Sequence, residues 1–394
     1  MPQYDYLIVG GGMTANAAAR GIREVDSSGS IAILGAEPHP PYSRPPLTKA
    51  LWKGDQPESI WLKVEEARVE LHLGRRVREL KPAERQAADD QGDIYTYRKL
   101  LLATGGTPRR LPFGGDSILY YRTFDDYQLL RQWSAKKGRL AVIGGGFIGS
   151  EIAAALAMNQ CKVTMFFPGP GIGSRMFPAD LSRFLNGYYR EKGVEVYPGA
   201  EVVDAEPRGQ EIVIRTKAGR ELAVDGVVAG LGIQPNLGLA AAAGLTVADG
   251  VIVNESLCTS DPDIYAAGDV AEFFNPALNQ RLRVEHEDNA NTMGRMAGRA
   301  MAGAQVRYDH LPFFYSDLFD LGYEAVGELD SRLQTVIDWK EPNREGVIYY
   351  LRDGRVRGVL LWNVWEQVDA ARNLIADAGP FQPADLKGRL PAKK

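Results

Sequence analysis

Two glycine runs of one design each follow a hydrophobic, strand-like stretch. Gly10-Gly11-Gly12 follows Leu7-Ile8-Val9 and leads into Met13-Thr14-Ala15, and Gly144-Gly145-Gly146 follows Ala141-Val142-Ile143 and leads into Phe147-Ile148-Gly149. This is the dinucleotide fingerprint. The first Gly makes a tight turn, the second lets the backbone approach a pyrophosphate, the third small residue lets helix and strand pack closely, and the helix N-terminus holds the phosphate charge. A single run of this kind also serves as a plain connector. Two, both in strand–loop–helix context, point to a protein that brings two dinucleotides together, and so to electron transfer.

Two carboxylates extend the first motif. Glu37 follows the second strand-like stretch, where an acid accepts hydrogen bonds from an adenosine ribose; the alternative is a solvated loop acid. Asp269, in Ala266-Ala267-Gly268-Asp269, suits the sugar-alcohol chain or pyrophosphate of FAD, or else a helix N-cap. Ala103-Thr104-Gly105 closes another strand on a Gly-rich turn.

The elements that must position these residues follow from hydropathy. Tyr4 to Val9 reads as a strand, Met13 to Val25 as an Ala-rich helix and Ile31 to Leu34 as the next parallel strand. After the Pro-rich loop Pro38–Pro46 come a short helix from Leu47, strands within Val69–Leu80, and strands at Ile94–Tyr97 and Lys99–Ala103. A second βαβ unit starts at Arg139, with a helix over Gly149–Asn159 and a strand over Lys162–Phe167. Glu201 to Ala223 alternates as strands around Ala218-Gly219, and Val227 to Gly232 is a strand ending in glycine. The return at Asp263 to the first kind of unit implies that one nucleotide domain is inserted into the other. From about Leu311 the pattern is α+β, with a hairpin turn at Asp353-Gly354, a helix over Val364–Ala378 stopped by Gly379-Pro380, and a Lys-rich tail expected to fray. The expected fold class is α/β: two Rossmann-like dinucleotide-binding domains plus a C-terminal α+β domain. The division is 1–112 with 248–311, 113–247, and 312–394.

The 394 residues suffice for two or three domains, and a net charge of -4 gives no basis for nucleic-acid binding. With a strand expected almost at Met1, no leader is expected, and no apolar run approaches the roughly 20 residues of a membrane span. The two cysteines, Cys161 and Cys258, form no CxxC and read as small hydrophobes in a reducing, cytoplasmic setting. No metal site is expected.

Together, Gly10-x-Gly12, Ala103-Thr104-Gly105, Gly144-x-Gly146-x-x-Gly149 and Ala267-Gly268-Asp269 resemble the pyridine-nucleotide:flavin oxidoreductases of glutathione-reductase-like fold. Arg44-Pro45-Pro46-Leu47-Thr48-Lys49 and Phe147-Ile148-Gly149-Ser150-Glu151 resemble their cysteine-free branch, which holds ferredoxin and rubredoxin reductases and apoptosis-inducing factor. Phe166-Phe167-Pro168, Val284-Glu285-His286, Gly322–Gly327 and Gly346–Asn363 are most similar to the apoptosis-inducing factor group.

The resemblance implies FAD and NADH as cofactors. Lys49 and Glu151 would form an ion pair beside the flavin, where the lysine stabilises negative charge on the reduced ring and the carboxylate positions it. Because burying an ion pair does not by itself stabilise a fold, chemistry is the better reason for one here. Phe147 would be an aromatic gate over the flavin, or else simple helix-start packing. Arg44, Val77 and Arg122 would contact FAD, Glu285 and His286 would lie near the nicotinamide, and Tyr315 would lie over the flavin edge, with His286 a contact and not an acid/base. Glu324 and Asn363 would bring the C-terminal domain to the NAD site, to which Gly232 is also assigned. A helix starting near Asn289 would aim its N-terminus at the flavin pyrimidine.

Three departures are visible. Tyr315 stands where the family usually has Trp. Lys340 and Gly346 are joined by a short loop where apoptosis-inducing factor has a long acidic insertion. Gly169 stands where an acid would bind the NAD ribose, with Arg175 nearby, so NADH is favoured by resemblance while NADPH stays open.

The expected activity is FAD-dependent NAD(P)H:acceptor oxidoreduction, with electrons leaving to an iron–sulfur or rubredoxin-type protein or a quinone. For an acidic ferredoxin partner, Arg44, Lys53 and Arg109-Arg110 are the expected basic docking rim. A disulfide reductase is disfavoured because no thiol lies in Pro40–Lys53. A redox-sensing interaction protein, whose reduced flavin–NAD complex controls conformation or dimerisation, is the alternative. Monomer and homodimer are both compatible.

Overall fold

A computed structural model describes residues 1–390; the Lys-rich tail falls outside the described residues. The chain forms two compact units.

The first unit comprises Met1–Arg44, Pro57–Thr107 and Gln234–Phe313. Its sheet runs in the order Glu70–Leu73, Ile31–Gly35, Gln3–Val9, Ile94–Leu102, Gln86–Asp89, Val77–Lys81, and Ile264–Ala266 also pairs with Ile94–Leu102. Gln3–Val9 lies parallel to both neighbours, with Val9 opposite Leu34 and Leu102. Burial on both faces explains its continuous apolar run: Leu7 and Ile8 are fully buried. The helix Met13–Arg23 is buried through its Ala-rich stretch and packs on the helix Glu287–Met301. Arg98 does not divide the strand expected as two; Ile94–Leu102 is continuous.

The second unit comprises Pro45–Gln56, Pro108–Ile233 and the described residues from Phe314 on. Its parallel sheet has the order Val194–Pro198, Lys162–Phe167, Arg139–Ile143, Gly226–Ala229, Ile118–Tyr120. Beside it are the antiparallel strands Val202–Arg208, Glu211–Thr216 and Glu221–Val224. A five-stranded antiparallel sheet follows: Phe313–Leu318, Leu321–Gly327, Arg355–Trp362, Glu345–Arg352, Gln334–Glu341. Asp353 and Gly354, both at positive φ, make a two-residue turn in it, as a two-residue hairpin requires.

Some boundaries differ from expectation. The helix after the second glycine run starts at Phe147, because Gly149 is already in its first turn. The last long helix spans Val368–Ala376, since Glu366 at φ 60 keeps the preceding segment irregular. The strand expected to reach Gly232 ends at Ala229. The segment after the Pro-rich loop forms two short 3-10 turns, Pro45–Thr48 and Ala50–Trp52. These are pinned within the second unit: the Leu47 carbonyl accepts from Trp52 Nε1 at 2.7 Å and from the Tyr121 hydroxyl at 2.5 Å.

Candidate functional site

The two glycine runs have matching backbones. Gly10 and Gly144 adopt φ near +120°, and a Cβ on either would sit within 2.3 Å of a carbonyl oxygen, Ala103 O or Gly230 O. Gly12 and Gly146 are different, because a Cβ there would meet nothing within 4 Å. Each of these is the N-cap of the following helix, with no side-chain cap and no acid in the first turn. The geometry thus leaves open space beside uncapped helix N–H groups, which fits a dinucleotide pyrophosphate at both places.

Around the first run, the unit gathers several expected residues. Thr14 packs against Gly268, next to Asp269. The Arg44 backbone N–H reaches Met13 Sδ at 3.5 Å, and its guanidinium binds Glu37 at 2.5 Å. Burial acts to lower the Arg44 pKa, but Tyr42, Glu37 and Asp269 together raise it, so these groups form one electrostatic cluster. Tyr42 donates its hydroxyl to the second Glu37 oxygen at 2.6 Å. Tyr42 was not foreseen, because a tyrosine in a Pro-rich loop has no motif. Ala103, Thr104 and Gly105 follow the strand Ile94–Leu102, and the Thr104 carbonyl accepts from Asn236 Nδ2. Val77 is buried at the start of its strand.

Glu285 is ion-paired with Arg283 at 2.7 Å, and His286 is the N-cap of Glu287–Met301. That helix begins two residues earlier than expected, so Glu287 and Asp288 occupy its first turn and offset part of its N-terminal partial charge.

In the second unit, Glu151 is nearly inaccessible and fully partnered. Lys49 Nζ lies 2.8 Å from Oε1, Ser316 Oγ donates to Oε1 at 2.6 Å, and Thr48 Oγ1 donates to Oε2 at 2.5 Å. The Lys49 ammonium also stands 5.2 Å from the Tyr315 ring centre, within cation–π range. Burial raises the Tyr189 and Tyr323 hydroxyls well above their ordinary value, and the Glu151 charge adds to it. Thr48 and Ser316 escaped the sequence reading because hydroxyl residues carry no spacing signal. Phe147 meets Phe314 edge-to-face at 5.2 Å.

Glu324 and Asn363 lie on and just after paired strands, Leu321–Gly327 and Arg355–Trp362. Glu324 Oε2 is buried without a hydrogen-bond partner among the described residues. Burial raises its pKa, the Glu366 backbone N–H acts against this, and the Glu366 charge adds to it. Asn363 accepts from the Gly322 N–H and donates to Arg344 O, so it fastens the strand end. Arg122 precedes a helix capped by Thr123 and Asp126. Gly232 accepts from the Arg109 N–H.

Both cysteines are free, and Cys161 sits at the start of Lys162–Phe167, the strand end opposite the glycine run. No group of three or more His, Cys, Asp or Glu suited to a metal occurs among the described residues.

Two glycine loops of this form are what a pyridine-nucleotide oxidoreductase requires, and the comparisons show that class. The family model described as pyridine nucleotide-disulphide oxidoreductase matches residues 4–294, and the apoptosis-inducing factor C-terminal model matches 297–345 and 337–377. The chain belongs to this family, within its apoptosis-inducing factor and ferredoxin reductase-like group, as an FAD-dependent NAD(P)H oxidoreductase. It is 34% identical to "Apoptosis-inducing factor 1, mitochondrial" of Dictyostelium discoideum, covering 95% of this chain and 78% of that one. It is 33% identical to monodehydroascorbate reductase 3 of Arabidopsis thaliana, covering 96% and 93%. A solved covalent putidaredoxin reductase–putidaredoxin complex superposes with a TM-score of 0.91 at 30% identity, covering 98% and 95%.

Proposed function

We propose that the protein passes electrons from NAD(P)H to a small ferredoxin-type iron–sulfur protein. The observation that carries this reading is the hydroxyl-braced Lys49–Glu151 pair. Burying such a pair is costly unless both charges are satisfied, and chemistry at a flavin is the reason to keep it. When bound, FAD takes up a hydride equivalent from nicotinamide C4 at N5 and releases electrons singly. Lys49 would supply positive charge beside the reduced ring, with Glu151, Thr48 and Ser316 fixing the ammonium. Gly10–Ala15, Glu37, Arg44, Ala103–Gly105 and Asp269 would hold FAD. Gly144–Gly149 would hold the nicotinamide dinucleotide, with Phe147 as gate.

The similarity to a putidaredoxin reductase favours a small redox-protein partner. The basic rim adds little, because Arg44 is engaged by Glu37, Lys53 by Asp317 and Arg110 by the Tyr120 ring. Residues 1–112 with 248–311 form the FAD domain in this reading, 113–247 the NAD(P) domain and 312–394 the C-terminal domain. A cytoplasmic setting accords with two free thiols. No described helix is long and apolar enough to cross a membrane.

The test is anaerobic stopped-flow reduction of the FAD-loaded protein, followed by mixing with a [2Fe–2S] ferredoxin, a quinone or monodehydroascorbate. Fast reoxidation by the ferredoxin is expected. The match to the apoptosis-inducing factor C-terminal model favours one rival, a redox sensor. A long-lived reduced flavin–NAD complex that no acceptor discharges would establish the sensor and overturn the reductase.

A further inference from the structure

We propose that the loop Pro168–Arg175 reads the 2′-phosphate of NADPH, with Arg175 as the cation and Ser174 as a hydroxyl donor. The inference rests on the NAD(P)H oxidoreductase reading and refines which dinucleotide is taken.

The loop leaves the C-terminal end of Lys162–Phe167 beside the glycine run, since a Cβ on Gly145 would lie 2.8 Å from the Phe167 ring. A carboxylate just after this strand would bind the 2′-hydroxyl of NAD and repel a 2′-phosphate. Here the position is Gly169, and its missing side chain is replaced in space: a Cβ there would lie 2.7 Å from Ser174 Oγ. The loop folds back on the nucleotide motif itself, because the Gly173 N–H donates to Gly145 O at 2.8 Å. Two buried residues of the helix Ala179–Glu191 fix its path. Ser182 Oγ donates to Ile172 O at 2.7 Å, and Asn186 donates to Pro170 O and accepts from the Ile172 N–H.

The carboxylates flanking this loop are paired elsewhere, Asp330 beside Ser331 with Arg332. No carboxylate occurs from Lys162 to Ala179. Asp180 is well exposed and paired with Arg183. Across the Gly199 N–H to Gly169 O hydrogen bond, Arg220 is engaged by Tyr197, through both its ring and its hydroxyl. Arg175 is exposed and makes no ion pair among the described residues, while its carbonyl is anchored by the Ser331 N–H. The anchored loop thus carries an exposed arginine and a hydroxyl next to a position where a carboxylate would repel phosphate. Arg binds phosphate oxygens through paired, charge-assisted hydrogen bonds.

The test compares 2′,5′-ADP with 5′-AMP by calorimetry on the FAD-loaded protein, which requires no turnover. We expect 2′,5′-ADP to bind about tenfold tighter or more, the scale of a charge-assisted hydrogen bond. Arg175→Gln should bring the two affinities within about threefold and leave 5′-AMP binding unchanged. The paired change Gly169→Glu with Ser174→Gly, which makes room for the acid, should favour 5′-AMP. Equal or tighter wild-type binding of 5′-AMP overturns the inference, and a preference that survives Arg175→Gln overturns the assignment to that residue. Stopped-flow reduction by NADPH and by NADH separates the two levels. If neither reduces the flavin, the oxidoreductase reading fails; if only NADH does, the refinement fails alone.

Discussion

Ser316 Oγ donates to the Glu151 oxygen that Lys49 also binds, although Ser316 and Glu151 are 165 positions apart. A buried carboxylate with three donors is held in one orientation, and so is the ammonium it binds.

Removing one brace should therefore act on both stability and chemistry. Ser316→Ala is expected to cost about 1–2 kcal/mol in urea unfolding. Glu151→Ala leaves Lys49 without its carboxylate and should cost about 3 kcal/mol or more. In the folded variants, flavin reduction should slow by about tenfold for Ser316→Ala, equivalent to about 1.4 kcal/mol of barrier. Unchanged reduction in Ser316→Ala would remove the positioning role.

The glycine runs separate fold from ligand. Gly10→Ala forces a Cβ onto Ala103 O at an unfavourable φ, so it should yield little folded protein. Gly12→Ala meets no protein atom, so the apoprotein should melt within a few degrees of wild type. FAD retention on gel filtration should nevertheless fall sharply. A Gly12→Ala protein that keeps its FAD would refute the pyrophosphate assignment.

Glu324 gives a pH dependence of known sign. Burial raises its native pKa above the unfolded value of about 4.3, so the native state holds the proton more tightly. Its stabilising share is complete below that pH and is lost as pH rises through the native value. Glu324→Gln should be the more stable protein at pH 7.5, by less than about 1 kcal/mol given partial solvent screening, with the gap closing near pH 4.5. Urea midpoints at the two pH values measure this.

Asp26 has the opposite sign. The Gly29 and Ser28 backbone N–H groups and the Tyr6 hydroxyl hold its carboxyl far below the usual range. In return, burial and then the Asp26 contact push Tyr6 up to about 12. Asp26 stabilises the fold above about pH 3.9 and loses that contribution as pH falls. Asp26→Asn should cost about 1 kcal/mol at pH 7 and progressively less as the pH falls below about 3.9, by thermal melts across the range. A constant gap would show that the effect is not ionic.

Much of the architecture was legible because it repeats a strong local pattern. Lys162–Phe167 and Arg139–Ile143 are apolar runs between polar ends, and both glycine runs sit directly after their strands. The Lys49–Glu151 ion pair, which the family resemblance implies, is formed. The site was opaque where the partner arrives from afar with ordinary chemistry, as with Thr48 and Ser316 around Glu151 and Phe314 against Phe147, and where a nearby side chain belongs to no motif, as with Tyr42 on Glu37. The same blindness misplaced the start of the helix Val368–Ala376. Hydropathy carried it back to Val364, but the positive φ of Glu366 is set by local backbone geometry that no periodicity reports.

Pro45–Gln56 belongs by its contacts to the second unit, though the chain on both sides of it belongs to the first. With Leu47 fastened to Tyr121, no single cut in the gene separates the two units. A fragment ending at Thr107 would carry Leu51 and Trp52 with nothing to cover them and would lack the strand Ile264–Ala266. Neither unit can be exchanged as one contiguous piece, and a chimera with another nucleotide domain must graft a dozen residues from far upstream.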